Sequence, residues 1–279
     1  MNYILYNPKS GNGDSFSSAK KLINNDNDAT MIDITGIESY SEFFSSMKES
    51  DCITVCGGDG TLNVFANEIH KCGFAGKVYY LPTGTGNDFY SDVCEDDGKH
   101  SIEVTEYIKE LPVVKVNGKE YRFINGVGYG IDGYCCEVGD VIKSKGKVPN
   151  YTSIAITGLL FKFKPRNAVV TVDGVESEYK KVWIAPTMFG RHYGGGMIPT
   201  PNQNRCGVPK KLSLMMFHGS GKLKTLMIFP SIFKGTHINH TDCVKVVEGN
   251  TITVKFDKPT ALQVDGETIL GVTEYTARI

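Results

Sequence analysis

Cys52-Ile-Thr-Val-Cys-Gly-Gly-Asp-Gly-Thr-Leu-Asn63 carries an apolar run straight into a glycine-rich loop and then into a helical pattern, Leu62–Ile69. The same alternation extends outward on both sides: Tyr3–Tyr6 before Phe16–Ile23, Met31–Ile34 before Tyr40–Met47, and Val78–Leu81 downstream. Continuous apolar strands separated by amphipathic helices predict a parallel sheet covered on both faces, a doubly wound α/β domain. Ligands of such domains sit beyond the carboxyl ends of the strands. Three strands here run into glycine-rich or polar loops, Asn7-Pro-Lys-Ser-Gly-Asn-Gly13, Gly57-Gly-Asp-Gly-Thr61 and Leu81-Pro-Thr-Gly-Thr-Gly-Asn-Asp88, and these are expected to converge.

From about Val113 the pattern changes to period two, in Ala168–Val172, Lys181–Ile184, Leu212–Phe217, Val244–Val247 and Thr251–Phe256, broken by turns at Asp173-Gly174 and Gly249-Asn250. This predicts a mainly antiparallel β-sandwich interrupted by two helices, one over Tyr151–Phe161 and one over Leu223–Phe233. The expected organisation is a Rossmann-like α/β domain over 1–118 and a β-sandwich domain over 119–279, the last few residues being free to return to the first.

The 279 residues are 41% apolar, enough to bury a substantial core, and 30 basic against 31 acidic residues give no general attraction for a polyanion, so nucleic acid is not an expected partner. The opening Met1-Asn-Tyr-Ile-Leu-Tyr6 lacks the pattern of a secretory signal, which predicts a cytoplasmic protein with its eight cysteines reduced. The longest apolar stretch, Ile154–Phe163, is about half the ~20 residues that span a bilayer, so any membrane contact is peripheral. His237 and His240 have no acidic or cysteine partner at metal-site spacing.

Glycines let a backbone approach a phosphate closely and turn its N–H groups toward it, and a helix N-terminus adds favourable dipole charge. Three such loops on one sheet edge describe an anion cradle. Asp59, between glycines, suits a Mg²⁺ ion that takes one or two carboxylates together with phosphate oxygens. It also suits a helix cap near Thr61, and Asn87-Asp88 suits a cap equally well. Neither a Walker P-loop nor a dinucleotide G-x-G-x-x-G in a βαβ context is present, so the phosphate site is of another kind.

The Asn7-Pro-x-Ser-Gly11 opening, Gly57-Gly-Asp-Gly-Thr-Leu-Asn63 and Gly84-Thr-x-Asn-Asp-Phe89 resemble, in order and spacing, the diacylglycerol kinase catalytic-domain family, which includes sphingosine and ceramide kinases and bacterial lipid kinases. Gly126-x-Gly-x-Gly130, Gly194-Gly-Gly-Met197 and Val264-Asp-Gly-Glu267 match later landmarks, so the resemblance covers nearly the whole chain. It implies an ATP- and Mg²⁺-dependent lipid kinase, diacylglycerol being the commonest acceptor. The implied ATP-binding residues are Asn7, Pro8, Ser10, Gly11, Gly57, Gly58, Gly60, Thr61, Asn63, Gly84, Thr85, Asn87 and Asp88. The resemblance further implies that nucleotide lies on the first domain and lipid on the second, and that Asp265, Asp59 and Glu267 are the catalytic residues, Asp265 as the base, Asp59 also directing the metal, and Glu267 in the same Asp-Gly-Glu element as Asp265.

Three positions depart from the family pattern: Val64 in place of a glutamate, Tyr90-Ser91 in place of Ala-Arg, and Cys206-Gly207 in place of Asp-Gly. The last removes the expectation of a structural magnesium. A NAD kinase-like small-molecule kinase and a catalytically silent nucleotide-binding regulator stay open beside the lipid kinase. Lys9 is either a phosphate ligand or solvated surface. The apolar and lysine residues of 222–234 suit interfacial docking as well as a core helix. The oligomeric state is open, a homodimer among the options.

Overall fold

In the computed structural model, which describes residues 1–24, 28–84, 86–94 and 98–279, two compact units are separated at Leu111/Pro112. The first is built in chain order from β1 (Asn2–Tyr6), α1 (Asp14–Asn24), β2 (Ala29–Asp33), α2 (Tyr40–Ser45), β3 (Cys52–Gly57), α3 (Asp59–Cys72), β4 (Lys77–Pro82), α4 (Asp88–Val93), β5 (Ile102–Glu103) and α5 (Thr105–Lys109). Its sheet runs β2-β1-β3-β4-β5, parallel except for β5 against β4. Ile4, Leu5, Ile53, Val55 and Cys56 are fully buried, as expected of central strands covered on both faces. The parallel register, Tyr6 beside Cys56 and Gly57 beside Pro82, brings the carboxyl ends of β1, β3 and β4 level with one another.

The second unit contains β6 (Val113–Val116), β7 (Lys119–Arg122), β8 (Gly126–Tyr129), α6 (Ile131–Ser144), α7 (Tyr151–Thr157), β9 (Arg166–Val172), β10 (Val175–Val182), β11 (Thr187–Met188), β12 (Leu212–Phe217), α8 (Lys222–Ile228), β13 (Val244–Gly249), β14 (Thr251–Val264) and β15 (Glu267–Arg278). Its sheet is antiparallel, in the order β13-β12-β11-β8-β14-β15-β6-β7, with β9 and β10 branching from β14. Residues 113–116, assigned from sequence to the first domain, pair with β15 and so belong to this sheet. The change of periodicity near Val113 is the better boundary, because no composition-biased linker marks the junction. The final residues stay in β15.

Both expected helices of this unit form, with modified ends. The first narrows to α7 followed by a π turn over Gly158–Lys162, and the second becomes α8 followed by a 3-10 turn over Phe229–Lys234 with Pro230 near its start. β10 stops at Val182, and Ile184 makes only isolated bridges to Gly130 and Phe217. Asp173 and Gly174, at φ +47° and +86°, form the β9–β10 turn. Among the described residues no helix is long and apolar enough to cross a membrane.

Candidate active site

The three glycine loops of the first unit meet, as their positions after β1, β3 and β4 predict. Asn7 Nδ2 donates to Thr61 Oγ1 at 3.0 Å, joining the first loop to the second. The Thr83 N–H donates to the Gly57 carbonyl oxygen at 2.8 Å, joining the third to the second. Gly11, at φ +61°, lies so close to the third loop that a Cβ there would stand 2.0 Å from the Thr83 carbonyl oxygen. A Cβ on Gly84 would stand 2.5 Å from the Gly58 Cα. These glycines are therefore required by contact between loops as well as by any ligand. Ser10 Oγ approaches the same junction, Pro8 and Gly60 are exposed, and the Asn63 side chain accepts from Asn67 Nδ2 one turn along α3. Thr85, expected in the ATP site, lies outside the described residues.

Asp59 is the first residue of α3, but its carboxylate does not cap that helix. It reaches across to α4 and accepts the Asp88 and Phe89 N–H groups at 2.7 and 3.3 Å. Asn87 is the N-cap residue of α4 in the left-handed region, yet makes no capping bond; its Nδ2 donates to the Gly84 carbonyl oxygen. The cap expected from Asn87-Asp88 is thus supplied by Asp59 from a different loop. Gly58 at the N-cap of the 14-residue α3 offers no side-chain acceptor, which leaves the dipole of that helix directed at the cradle. Thr83 Oγ1 and Asn87 Oδ1 are buried without a hydrogen-bond partner, a condition that calls for a ligand or an ordered water.

Among the described residues no three His, Cys, Asp or Glu side chains gather as a protein-built metal cage. The Asp59 and Asp88 carboxylates both approach Gly86, whose Cβ would stand 4.0 and 3.7 Å from their Oδ2 atoms. That donor set fits an ion which takes one or two carboxylates and completes its shell with phosphate and water. Val64 is about half exposed on α3, Ser91 Oγ donates to the Asn87 carbonyl oxygen, and Lys9 is exposed, its N–H donating to Asn7 Oδ1.

In the second unit, Val264 pairs with Glu267, so Asp265-Gly266 is a two-residue hairpin loop between the long strands β14 and β15. Both loop residues have positive φ, +45° and +92°, as a primed turn requires. The Asp265 carboxylate is half-buried and accepts three backbone N–H groups, from Ile124 at 2.5 Å and from Asn125 and Gly126 at 3.0 Å. Removal from water pushes the Asp265 carboxyl up to about 6, against the opposing pull of these donors and of the Arg205 guanidinium. Glu267 is exposed just beyond the turn.

Two supports behind Asp265 have no counterpart in the sequence reading. The buried Arg205 guanidinium donates to the Ile124 carbonyl oxygen at 3.0 Å and to Asn125 Oδ1 at 3.2 Å. Gln263 accepts the Gly266 N–H at 2.6 Å and donates to Asp132 Oδ2 at 3.1 Å, pinning the turn to α6. Burial pushes the Asp132 carboxyl up to about 6 as well, with the Gln263 hydrogen bond acting in the other direction. The middle glycine of Gly126-x-Gly-x-Gly130 makes room for this network, because a Cβ on Gly128 would stand 1.3 Å from Asp132 Oδ2. Gly194, Gly195 and Gly196 all have positive φ, in a turn closed by Tyr193 and Met197. His237 is a core residue bonded to the Pro199 carbonyl oxygen, His240 is exposed, and Cys206 is an exposed free thiol.

Residues 2–116 match the family model of the diacylglycerol kinase catalytic domain, and residues 125–278 match that of the YegS C-terminal NAD kinase beta sandwich-like domain. The chain belongs to the family that joins these two domains, the diacylglycerol kinase catalytic-domain family of lipid kinases. A protein named diacylglycerol kinase in Mycobacterium tuberculosis is 25% identical over 266 residues, covering 90% of this chain and 84% of that one. A crystal structure of a diacylglycerol kinase from Bacillus anthracis has the same fold, with a TM-score of 0.63 and 20% identity over 100% of this chain and 93% of the other. A second structure from that organism gives a TM-score of 0.69, also at 20% identity, over 100% of this chain and 91% of the other.

Proposed function

We propose that the protein transfers the γ-phosphate of Mg-ATP to a lipid hydroxyl, with diacylglycerol as the first acceptor to be tried and phosphatidate as its product. The observation that carries this reading is the seat of Asp265: a carboxylate lifted toward neutral pH and held by three N–H groups, a placement suited to a base. As the acceptor oxygen bonds to phosphorus and the bond from phosphorus to the departing ADP oxygen breaks, the hydroxyl proton passes to an oxygen of Asp265.

Phosphoryl transfer asks little covalent chemistry of a protein beyond positioning, charge neutralisation and acceptance of that proton. In the first unit, the loops around Asn7–Gly11, Gly57–Thr61 and Gly84–Asp88 orient the phosphates through backbone N–H groups, and the uncapped start of α3 adds its dipole. Asp59 and Asp88 would hold Mg²⁺, which supplies charge neutralisation at the transferring phosphate. In the second unit, Asp132 and Gln263 hold the turn, and Arg205 holds the segment that donates to Asp265. We place the protein in the cytoplasm, peripheral to a membrane that presents its acceptor.

The test is incubation of the purified chain with γ-labelled ATP, Mg²⁺ and mixed micelles of diacylglycerol, ceramide, sphingosine or phosphatidylglycerol, beside Asp265→Asn and with soluble NAD as a control acceptor. Labelled lipid with the parent and none with an ATP-binding Asp265→Asn is the expected result. Retained ATP binding without transfer to any lipid, or transfer to NAD alone, would overturn the reading.

A further inference from the structure

We propose that the free edge of β13 takes an extended peptide segment of another protein, one that presents a basic residue and, two residues further on, a large apolar one. The proposal stands apart from the kinase reading. β13 ends its sheet and, among the described residues, pairs only with β12, in an unbroken register from Leu212 with Gly249 to Phe217 with Val244. The Met215 and Phe217 N–H groups donate away from β13, to the Pro186 and Ile184 carbonyl oxygens. Alternation along an antiparallel ladder therefore turns the peptide groups of Lys245, Val247 and Gly249 toward β12, and those of Val246 and Glu248 outward. The Val244 N–H donates to the His240 carbonyl oxygen, whereas no protein group among the described residues meets the outward groups of Val246 and Glu248. Such an edge is a template for one more strand. Two other edges are less open: β10 is broken by an irregularity between Tyr179 and Val182, where Lys181 has φ +52°, and β7 is four residues long with three of them charged.

The side chains beside this edge select the occupant. Val244, Val246 and Glu248 share one face of the strand with Ser213 of β12, and with Pro201 and Ile238 they line a cavity of about 270 Å³. Its buried polar side chains already have partners: Ser213 donates to Gln203 Oε1, Gln203 Nε2 donates to the Phe189 and Lys211 carbonyl oxygens, and Thr200 Oγ1 donates to that of Gly190. A cavity with these groups spoken for suits an apolar side chain. At the end of the same row Glu248 is exposed, with no cationic partner among the described residues. Lys245 lies on the other face, its Nζ 5.8 Å from the Tyr179 ring centroid. In an antiparallel peptide, the residue opposite Val246 turns its side chain to the cavity, and the residue two places before it stands opposite Glu248 and should be basic. A second copy does not meet this requirement. Two-fold pairing through the outward groups sets Glu248 against Asp242, Val244, Val246 or Glu248 of the other copy, never against a cation.

The experiment is fluorescence anisotropy of the full chain with a fluorescein-labelled peptide, Gly-Ser-Thr-Arg-Thr-Leu-Thr-Ser, for which saturable binding is expected. Alanine in place of the peptide leucine should weaken binding by about tenfold, as burial of the apolar side chain is lost. N-methylation of the leucine amide removes the donor to the Val246 carbonyl oxygen and should weaken it by about tenfold or more. Glu248→Lys should weaken the arginine peptide by about fivefold and strengthen by a similar factor a peptide with glutamate in its place, an exchange that general adhesion does not produce. Val246→Pro removes only an outward donor, so it should lose the peptide and keep the parental melting temperature within a few degrees. If that variant does not fold, the N-methylated peptide and the Glu248→Lys exchange decide alone. No saturable binding by the parent, binding indifferent to N-methylation, or a Glu248→Lys variant that still prefers the arginine peptide overturns the proposal. So does a concentration-dependent dimer of the parent that Val246→Pro dissolves, since the edge then belongs to a second copy.

Discussion

Arg205 and Asp265 grip the same short segment from two sides: the guanidinium takes the Ile124 carbonyl oxygen and Asn125 Oδ1, and the carboxylate takes the N–H groups of Ile124, Asn125 and Gly126. The segment becomes a bridge through which a buried cation fixes the position of a carboxylate and lowers its proton affinity.

Replacing Arg205 by Leu should therefore lower kcat by about tenfold or more through misplacement of the base, with KM for ATP little changed. The acid limb of the pH profile should move to higher pH, because a cation that favours the ionised carboxylate is gone. Arg205→Lys keeps a charge without the two-pronged hydrogen bonding and should fall between the two. A kcat/KM profile across pH, with a melting curve for each variant, separates this effect from general loss of fold.

For the parent, activity should decline as pH falls through about 6, where Asp265 takes up a proton and ceases to accept one from the acceptor. Stability should move the opposite way. Asp265 and Asp132 both bind protons more readily folded than unfolded, so stability gained by protonation is fully present below the ordinary aspartate range and lost as pH rises through about 6. Melting temperature measured across this window should rise toward acid, with a smaller slope in Asp132→Asn.

Gly128→Ala should destabilise the chain by about 2 kcal/mol or more, since its Cβ would collide with Asp132 Oδ2 and crowd Gln263 Nε2. Adding Asp132→Ala removes the nearer obstacle and should restore part of the loss. Urea unfolding of the two variants reads this directly; additive losses in the double variant would show that the crowding lies elsewhere.

Asp59→Ala should cost about 1–2 kcal/mol even without nucleotide or metal, because α4 loses the acceptor of its first N–H groups. A purely metal-directing aspartate would leave the ligand-free protein unchanged or make it more stable. Urea unfolding in chelator distinguishes the two, and transfer should be lost in either case.

The first sheet and its three loops were legible because apolar strands ending in glycine punctuate a sequence clearly, and β1, β3 and β4 follow that pattern. α6 was not. Its Ile131–Ser144 segment contains Gly133 and Gly139, which lower helix propensity but are needed for contact. A Cβ on Gly133 would stand 1.8 Å from the Ala261 carbonyl oxygen, and one on Gly139 would meet the Tyr151 ring at 2.7 Å. Arg205 gave no local signal either, since its partners are 80 and 81 residues away. Asp59 lies where the second and third loops meet, but capping across loops is invisible to a rule that looks three residues ahead.

The bonds and close contacts that join Asn7 to Thr61, Gly11 to Thr83 and Gly57 to Thr83 also govern when the cradle can exist during folding. Each link spans a long stretch of chain, and every loop needs the other two as its wall. A nascent first unit holding β1 to β3 and the start of α3 can form the Asn7–Thr61 link, but it lacks the wall supplied by the loop after β4. The meeting of all three loops is thus complete only when β4, the last parallel strand, has docked.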